Sequence, residues 1–206
     1  MKLYDISLTI TPDTPRYPGK EIPSRGILMR IEDGSIANCS AIYLDCHVGT
    51  HVDAPRHFVR DGITIDQVPL DRLCGPCRVV EVTGRRDIRP DDLTAIPPNT
   101  RVLFKTCGSH QLHNGLGDPN SFAYLTPDAA RRLVGLKTQL VGIDGFSIDE
   151  YGSTEPSHLI ILPAGIPILE CIDLTDVPPG DYDLTVLPLK IAHSEAAPAR
   201  AILKAD

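Results

Sequence analysis

Residues Cys46–Phe58 read CHVGTHVDAPRHF, with three histidines and an aspartate set around a glycine and a proline. A helix would stack His47 and His51 on one face. Val48, Gly49, Thr50 and Val52 are poor helix formers, however, and Pro55 ends the run. In a strand, positions 47, 49, 51 and 53 share one side, which groups His47, His51 and Asp53. A straight strand would hold the two histidines about 13 Å apart, at roughly 3.3 Å per residue. They converge only if the backbone bends, and Gly49 is where a bend strains least. Pro55 then redirects the chain, so that His57 approaches from another side. As separate polar residues, these groups would each need a partner if buried. A divalent cation satisfies them together, and imidazole plus carboxylate suits Zn²⁺, Mn²⁺ or Fe²⁺.

The flanking sequence is rich in strand signals. LYDISLTI (3–10) alternates polar and apolar residues before the breaker run TPDTPRYPG. Short strands are expected at 26–32, 40–45, 77–82, 101–106, 139–144, 158–162, 167–173 and 183–192. One helix is well marked at 126–135: Thr126 is a good N-cap, Pro127 suits the first turn, and Asp128 favours the positive dipole end. A second, short helix is expected near Pro90. With no repeat or linker in view, the expectation is a single domain over 1–206. Its class is α/β in the α+β sense, β-rich.

The bulk composition narrows the function. The chain has 206 residues, of which 42% are hydrophobic, enough for a sizeable core. Its 27 acids and 20 bases are spread along the chain and give a net charge of −7, which argues against nucleic acid as a partner. No apolar run reaches the roughly 18–20 residues of a membrane helix. MKLYDISLTI does not read as a secretory signal, so a cytoplasmic location is expected. The six cysteines are expected to be mostly reduced and buried.

A two-metal site needs more ligands than Cys46–Phe58 holds. The later chain offers His158, in EPSHLI, and Glu170, in ILECID. A carboxylate inside an apolar run needs either a basic partner or a metal. LCGPCR contains C-G-P-C, but it leads into a strand-like segment, the inverse of a redox dithiol, and reads as a tight turn. His110 and His113 lie in GSHQLHNGLGDPN, read as a solvated loop or as a flap over a site. GFSID lacks the second glycine of a nucleophile elbow, so a serine-hydrolase mechanism has no visible nucleophile.

HVGTHVDAPRHF resembles the H-x-G-T-H-x-D-x-P-x-H-F signature of the metal-dependent cyclase family, which includes arylformamidases and isatin hydrolases. The likeness extends through DISLTITPDTPRYPG, LVGIDGFSID, AGIPILECI and DVPPGDYDLTVLPLKIA. It implies a swivelling β/β/α-type fold. It implies that His47, His51, Asp53, His158 and Glu170 are metal ligands, with Asp53 and Glu170 bridging two ions. It leaves His57 as general acid/base and places Tyr17, in RYPG, against the substrate ring. The implied cofactor is Zn²⁺, two per subunit, with Mn²⁺ the alternative. The implied activity is hydrolysis of an aryl formamide such as N-formylkynurenine. The alternatives are a cyclic amide or lactone such as isatin, or a non-catalytic metal-binding scaffold. Members of the family are similar in being dimers or tetramers, so a homo-oligomer is expected.

Overall fold

The computed structural model of the chain describes residues 1–17, 19–113 and 118–205. The first half supplies β1 (Lys2–Asp5), β2 (Ser24–Met29), β3 (Cys39–Tyr43), β4 (His51–Asp53), β5 (Cys74–Glu81) and β6 (Asp87–Ile88). The second half supplies β7 (Arg101–Lys105), β8 (Tyr124–Leu125), β9 (Val141–Ile143), β10 (Ile168–Glu170), β11 (Gly180–Pro188) and β12 (Ala196–Ala205). The α-helices are α1 (Leu70–Leu73), α2 (Gly108–His113), α3 (Pro127–Gly135) and α4 (His158–Ile161).

The main sheet runs β1-β12-β11-β5-β7-β9-β10-β4, and β4 also pairs with β12. The second pairing closes the sheet into a seven-stranded barrel, with β1 added on β12 outside the ring. Closure depends on the length of β12. Its start, Ala196–Pro198, pairs with β4, while Ile202–Ala205 pair with β1 and 199–204 with β11. The β5–β7, β7–β9 and β9–β10 pairs are parallel, and long connections return the chain between them, through β6 for the first, α2 and α3 for the second and α4 for the third.

Alternation along the strands builds two cores. Val52, Leu103, Leu169, Leu184 and Leu203 point into the barrel. Val102, Phe104, Val141, Ile143 and Ile168 point outward, under Ala129, Leu133 and Ile161 of α3 and α4. The barrel wall is tight at Gly142, where a β-carbon would stand 2.5 Å from Leu103 Cδ2. In α3 the Thr126 hydroxyl accepts from Ala129 N (3.3 Å), the N-cap expected from sequence.

The β-rich reading of class is borne out, with two local corrections. The apolar run at 158–162 is helical and not a strand. His158 and Ile161 are buried while Leu159 between them is 53% exposed, a spacing of three that suits a helix turn. The C-G-P-C segment lies inside β5 and is not a tight turn, and Cys77 is buried in the barrel. The short helix expected near Pro90 is present as a 3₁₀ helix, Pro90–Leu93. The cysteines are all free, as expected, but only Cys77 and Cys171 are buried. Strand β12, absent from the expected set, is the longest. Among the described residues no helix is long and apolar enough to cross a membrane.

One element stands apart from the cores. Among the described residues β2 and β3 pair only with each other, and every residue of both is exposed. Leu28 is 64% and Ile42 65% exposed, on a ribbon that a two-stranded pair rarely sustains alone in water.

Candidate metal centre

The site is built on β4 and its two neighbours. Period-2 alternation turns Val52 into the barrel and leaves His51 and Asp53 on the outer face. Antiparallel pairing sets Glu170 of β10 directly opposite His51, and Ile168 opposite Asp53. His47 arrives from the turn before β4. That turn bends at Gly49, whose φ of +57° lies in the left-handed region. The expected bend is therefore present, although His47 lies before the strand. His57 closes the 3₁₀ turn Pro55–His57, and α4 lowers His158 onto the same face.

The donor atoms fall into two groups sharing carboxylates. Asp53 Oδ1 lies 2.9 Å from His47 Nδ1 and 3.5 Å from His51 Nε2. Asp53 Oδ2 lies 3.4 Å from His158 Nε2. Glu170 divides in the same way, with Oε2 3.5 Å from His51 Nε2 and Oε1 3.4 Å from His158 Nε2. Ile148 N also donates to Oε1, at 2.8 Å, which fixes the Glu170 carboxylate. His51, Asp53, His158 and Glu170 are all buried.

Two tautomers can be read from the surroundings. His51 Nδ1 is 2.8 Å from Gly49 O, which can only accept, so Nδ1 carries the proton. The Nε2 lone pair then faces carboxylate oxygens. Among the described residues His51 Nε2 is buried without a hydrogen-bond partner, and Asp53 Oδ1 has only the close approach of His47 Nδ1. His158 Nδ1 lies 2.6 Å from Asp149 Oδ2, so its Nε2 likewise turns a lone pair towards Asp53 and Glu170. Lone pairs aimed at carboxylates need a cation between them. The residues therefore fit a metal, and the mixed imidazole–carboxylate donors suit Zn²⁺ or Mn²⁺.

The electrostatics agree. Burial alone would lower the His51 pKa, but Asp53, with Glu170 and Cys171, holds it well above the ordinary value. For His158 burial is likewise overridden, by Asp149, Asp53 and Glu170. Burial would raise Asp53 and Glu170, yet the imidazoles keep both carboxyls below their usual values. The pocket draws positive charge. His57 differs, because burial lowers its pKa and His47 and His158 add to the effect, against Asp53 and Glu170.

His57 packs its ring 4.3 Å from that of His47, and its ligating atom comes within 4.8 Å of those of His47 and Asp53. Tyr17 lies on a cleft of about 390 Å³ that opens onto the centre. Its ring neighbours Tyr151 (5.6 Å) and Phe146 (6.3 Å), and Phe146 stacks near Phe122 (4.2 Å). The structure thus gathers His47, His51, Asp53, His57, His158, Glu170 and Tyr17 around one cleft. It does not bring His193 there; that residue is exposed at φ +63°. His113 ends α2 and pairs with Asp173 at 2.7 Å, so 108–113 is helix and not loop. Residues 114–117 of the expected flap lie outside the described residues.

Sequence reasoning missed Asp149 and Glu195, whose carboxylates contact His158 (2.6 Å) and the far side of His47 (3.4 Å). The only signal for Asp149 was its place in GFSID, nine residues before His158.

Comparison with known proteins agrees with the geometry. Residues 4–150 match the Cyclase family model. The chain is 40% identical over 209 residues to the kynurenine formamidase of Salinibacter ruber, covering 99% of this chain and 98% of that protein. A solved structure from Bacillus stearothermophilus, described as a predicted metal-dependent hydrolase, superposes with a TM-score of 0.85. It is 35% identical, over 98% of this chain and 97% of that one. Isatin hydrolase A from Labrenzia aggregata shares the fold, with a TM-score of 0.86 at 22% identity over 98% of this chain and 93% of that one.

A cation that binds only the folded state stabilises it by mass action, about 2.7 kcal/mol at 100 times its Kd. Zn²⁺ or Mn²⁺ added to metal-free protein should therefore raise the melting temperature. Glu170→Gln should shrink that rise; an equal rise in the variant would remove Glu170 from the centre.

Proposed function

The chain belongs to the cyclase family, and on that premise we propose that it is a metal-dependent amidohydrolase cleaving aryl formamides, N-formyl-L-kynurenine above all. The products are then formate and an aryl amine, as in tryptophan breakdown. One observation carries the reading: a buried imidazole–carboxylate cluster opens onto a cleft walled by Tyr17, Phe58, Phe122, Phe146 and Tyr151. Near-complete coverage of a kynurenine formamidase at 40% identity supports it.

His47, His51, Asp53, His158 and Glu170 are the ligands in this reading. Asp53 and Glu170 each offer one oxygen to either side, as a two-ion site requires. Two Zn²⁺ ions, or Mn²⁺ in their place, would supply Lewis acidity and lower the pKa of water to about 7. The rest of the reaction falls to the chain's own residues. The aromatic wall, Tyr17 included, orients the substrate ring. Asp149 holds the His158 ring through Nδ1. Water adds to the formyl carbon, the C–N bond breaks, and the nitrogen leaves with a proton. His57 lines the cleft beside the cluster and carries that proton, a role worth roughly 10²–10⁴-fold.

The direct test is formate release by the metallated protein, with N-formylkynurenine and isatin assayed side by side. Turnover of the formamide is expected. Turnover of isatin alone would make the substrate a cyclic amide, and turnover of neither would leave a metal-binding scaffold. His57→Ala should keep its metal while kcat falls about 10²–10⁴-fold. Loss of metal from that variant, by elemental analysis, would instead make His57 a ligand, as its closeness to His47 and Asp53 would permit.

The exposed β2–β3 ribbon supports assembly with a second copy of the chain as a homodimer or homotetramer. An isologous contact through one face of the ribbon would cover Ile27 and Ile42 on both subunits together. Light scattering should give a multiple of 22.4 kDa, and Ile27→Glu with Ile42→Glu should shift it to the monomer. A monomeric parent protein would refute the assembly.

A further inference from the structure

The cleft has one feature that the hydrolysis of a formamide does not use. Among the described residues lining it, Lys20 is the only lysine or arginine. The other lining residues are the aromatic wall, the histidines, two serines, Pro119, Gly152, Pro156 and the acids Asp149, Glu150 and Glu170. We propose that Lys20 is a specificity-determining residue that holds the carboxylate of a substrate's amino-acid tail. The proposal rests on the aryl formamide reading and deepens it.

Lys20 is held in place by its own loop. Its backbone N donates to Tyr17 O at 3.1 Å, closing a turn that presents the Tyr17 ring and the Lys20 ammonium to the same cleft. Asp45 then ties it to the cluster. One Asp45 oxygen lies 3.6 Å from Lys20 Nζ, and the other accepts from His47 N at 2.8 Å. The ammonium is therefore one carboxylate away from a cluster residue. An ammonium has three donors, and a single contact at 3.6 Å leaves donors to spare. The Lys20 side chain is 38% exposed, so it meets both solvent and cleft.

The substrate chemistry fits this layout. An aryl formamide with its formyl group at the cluster and its ring against Tyr17 points any ring substituent along the cleft. In N-formylkynurenine that substituent ends in an ammonium and a carboxylate. Lys20 offers the charge that the carboxylate needs, and Glu150 in the same cleft offers the opposite charge for the ammonium. A neutral aryl formamide gains nothing from either. As a mere surface pair with Asp45, Lys20 would contribute little to the fold and nothing to discrimination.

The test compares N-formylkynurenine with its carboxamide, which removes one negative charge and keeps the ring, formamide and ammonium. The readout is the ratio of kcat/KM for the acid to that for the amide. In the parent protein the acid should be preferred. In Lys20→Met the ratio should fall about tenfold, the scale of one lost charge-assisted hydrogen bond. Lys20→Arg should restore most of it, because the positive charge returns. A ratio unchanged in Lys20→Met overturns the proposal, even if both rates drop, because equal losses mark a structural role. Parent protein inactive on both compounds would overturn the formamidase reading itself, a result distinct from an unchanged ratio.

Discussion

The carboxylate of Asp53 is the constraint around which the site is arranged. It is fully buried, and it faces imidazoles on both oxygens, His47 and His51 on one and His158 on the other. A lone buried carboxylate is costly to desolvate and survives only beside positive charge. Glu170, equally enclosed, adds a second negative charge within the same set of rings. Such an arrangement is stable when cations or protons balance it. That requirement explains why the pKa values of His51 and His158 climb while those of the Asp53 and Glu170 carboxyls fall.

The barrel exists in the form that holds this carboxylate still. Strand β4 is only His51–Asp53, yet it is paired on both edges, to β10 and to β12. Double pairing fixes its register, and a shift of one residue would swap Val52 with His51 and Asp53. Beyond the strand, supporting contacts set the ring orientations. Gly49 O fixes His51, Asp149 fixes His158, and Glu195 meets the far nitrogen of His47. A site held by such contacts keeps its geometry without relying on the ligand to assemble it.

The aromatic wall and the cluster come from different parts of the chain. Tyr17 precedes the exposed ribbon, Phe58 follows the histidine turn, and Phe122, Phe146 and Tyr151 belong to the connections around β9. The cleft is thus where loops meet on the outer face of a closed barrel. Those loops can vary while the strands keep His51, Asp53 and Glu170 in place.

The sequence by itself determined the chemistry of the centre. The density of His and Asp in Cys46–Phe58 marked a cation site, the strand period paired His51 with Asp53, and Gly49 had to bend for His47 to join them. It also marked the α3 cap, where Thr126 receives the Ala129 amide. Those features are local, set by residues within one turn or strand of each other. The tertiary structure decided the rest. His158 reached the site on a helix and not on the expected strand, because a short apolar run fits either period and only packing selects one. Closure through β12 and the partners Asp149 and Glu195 join residues far apart in sequence or outside the motif, where no spacing rule reaches. Which face of the barrel held the site followed from the two neighbours of β4, a property of pairing that a single strand does not contain.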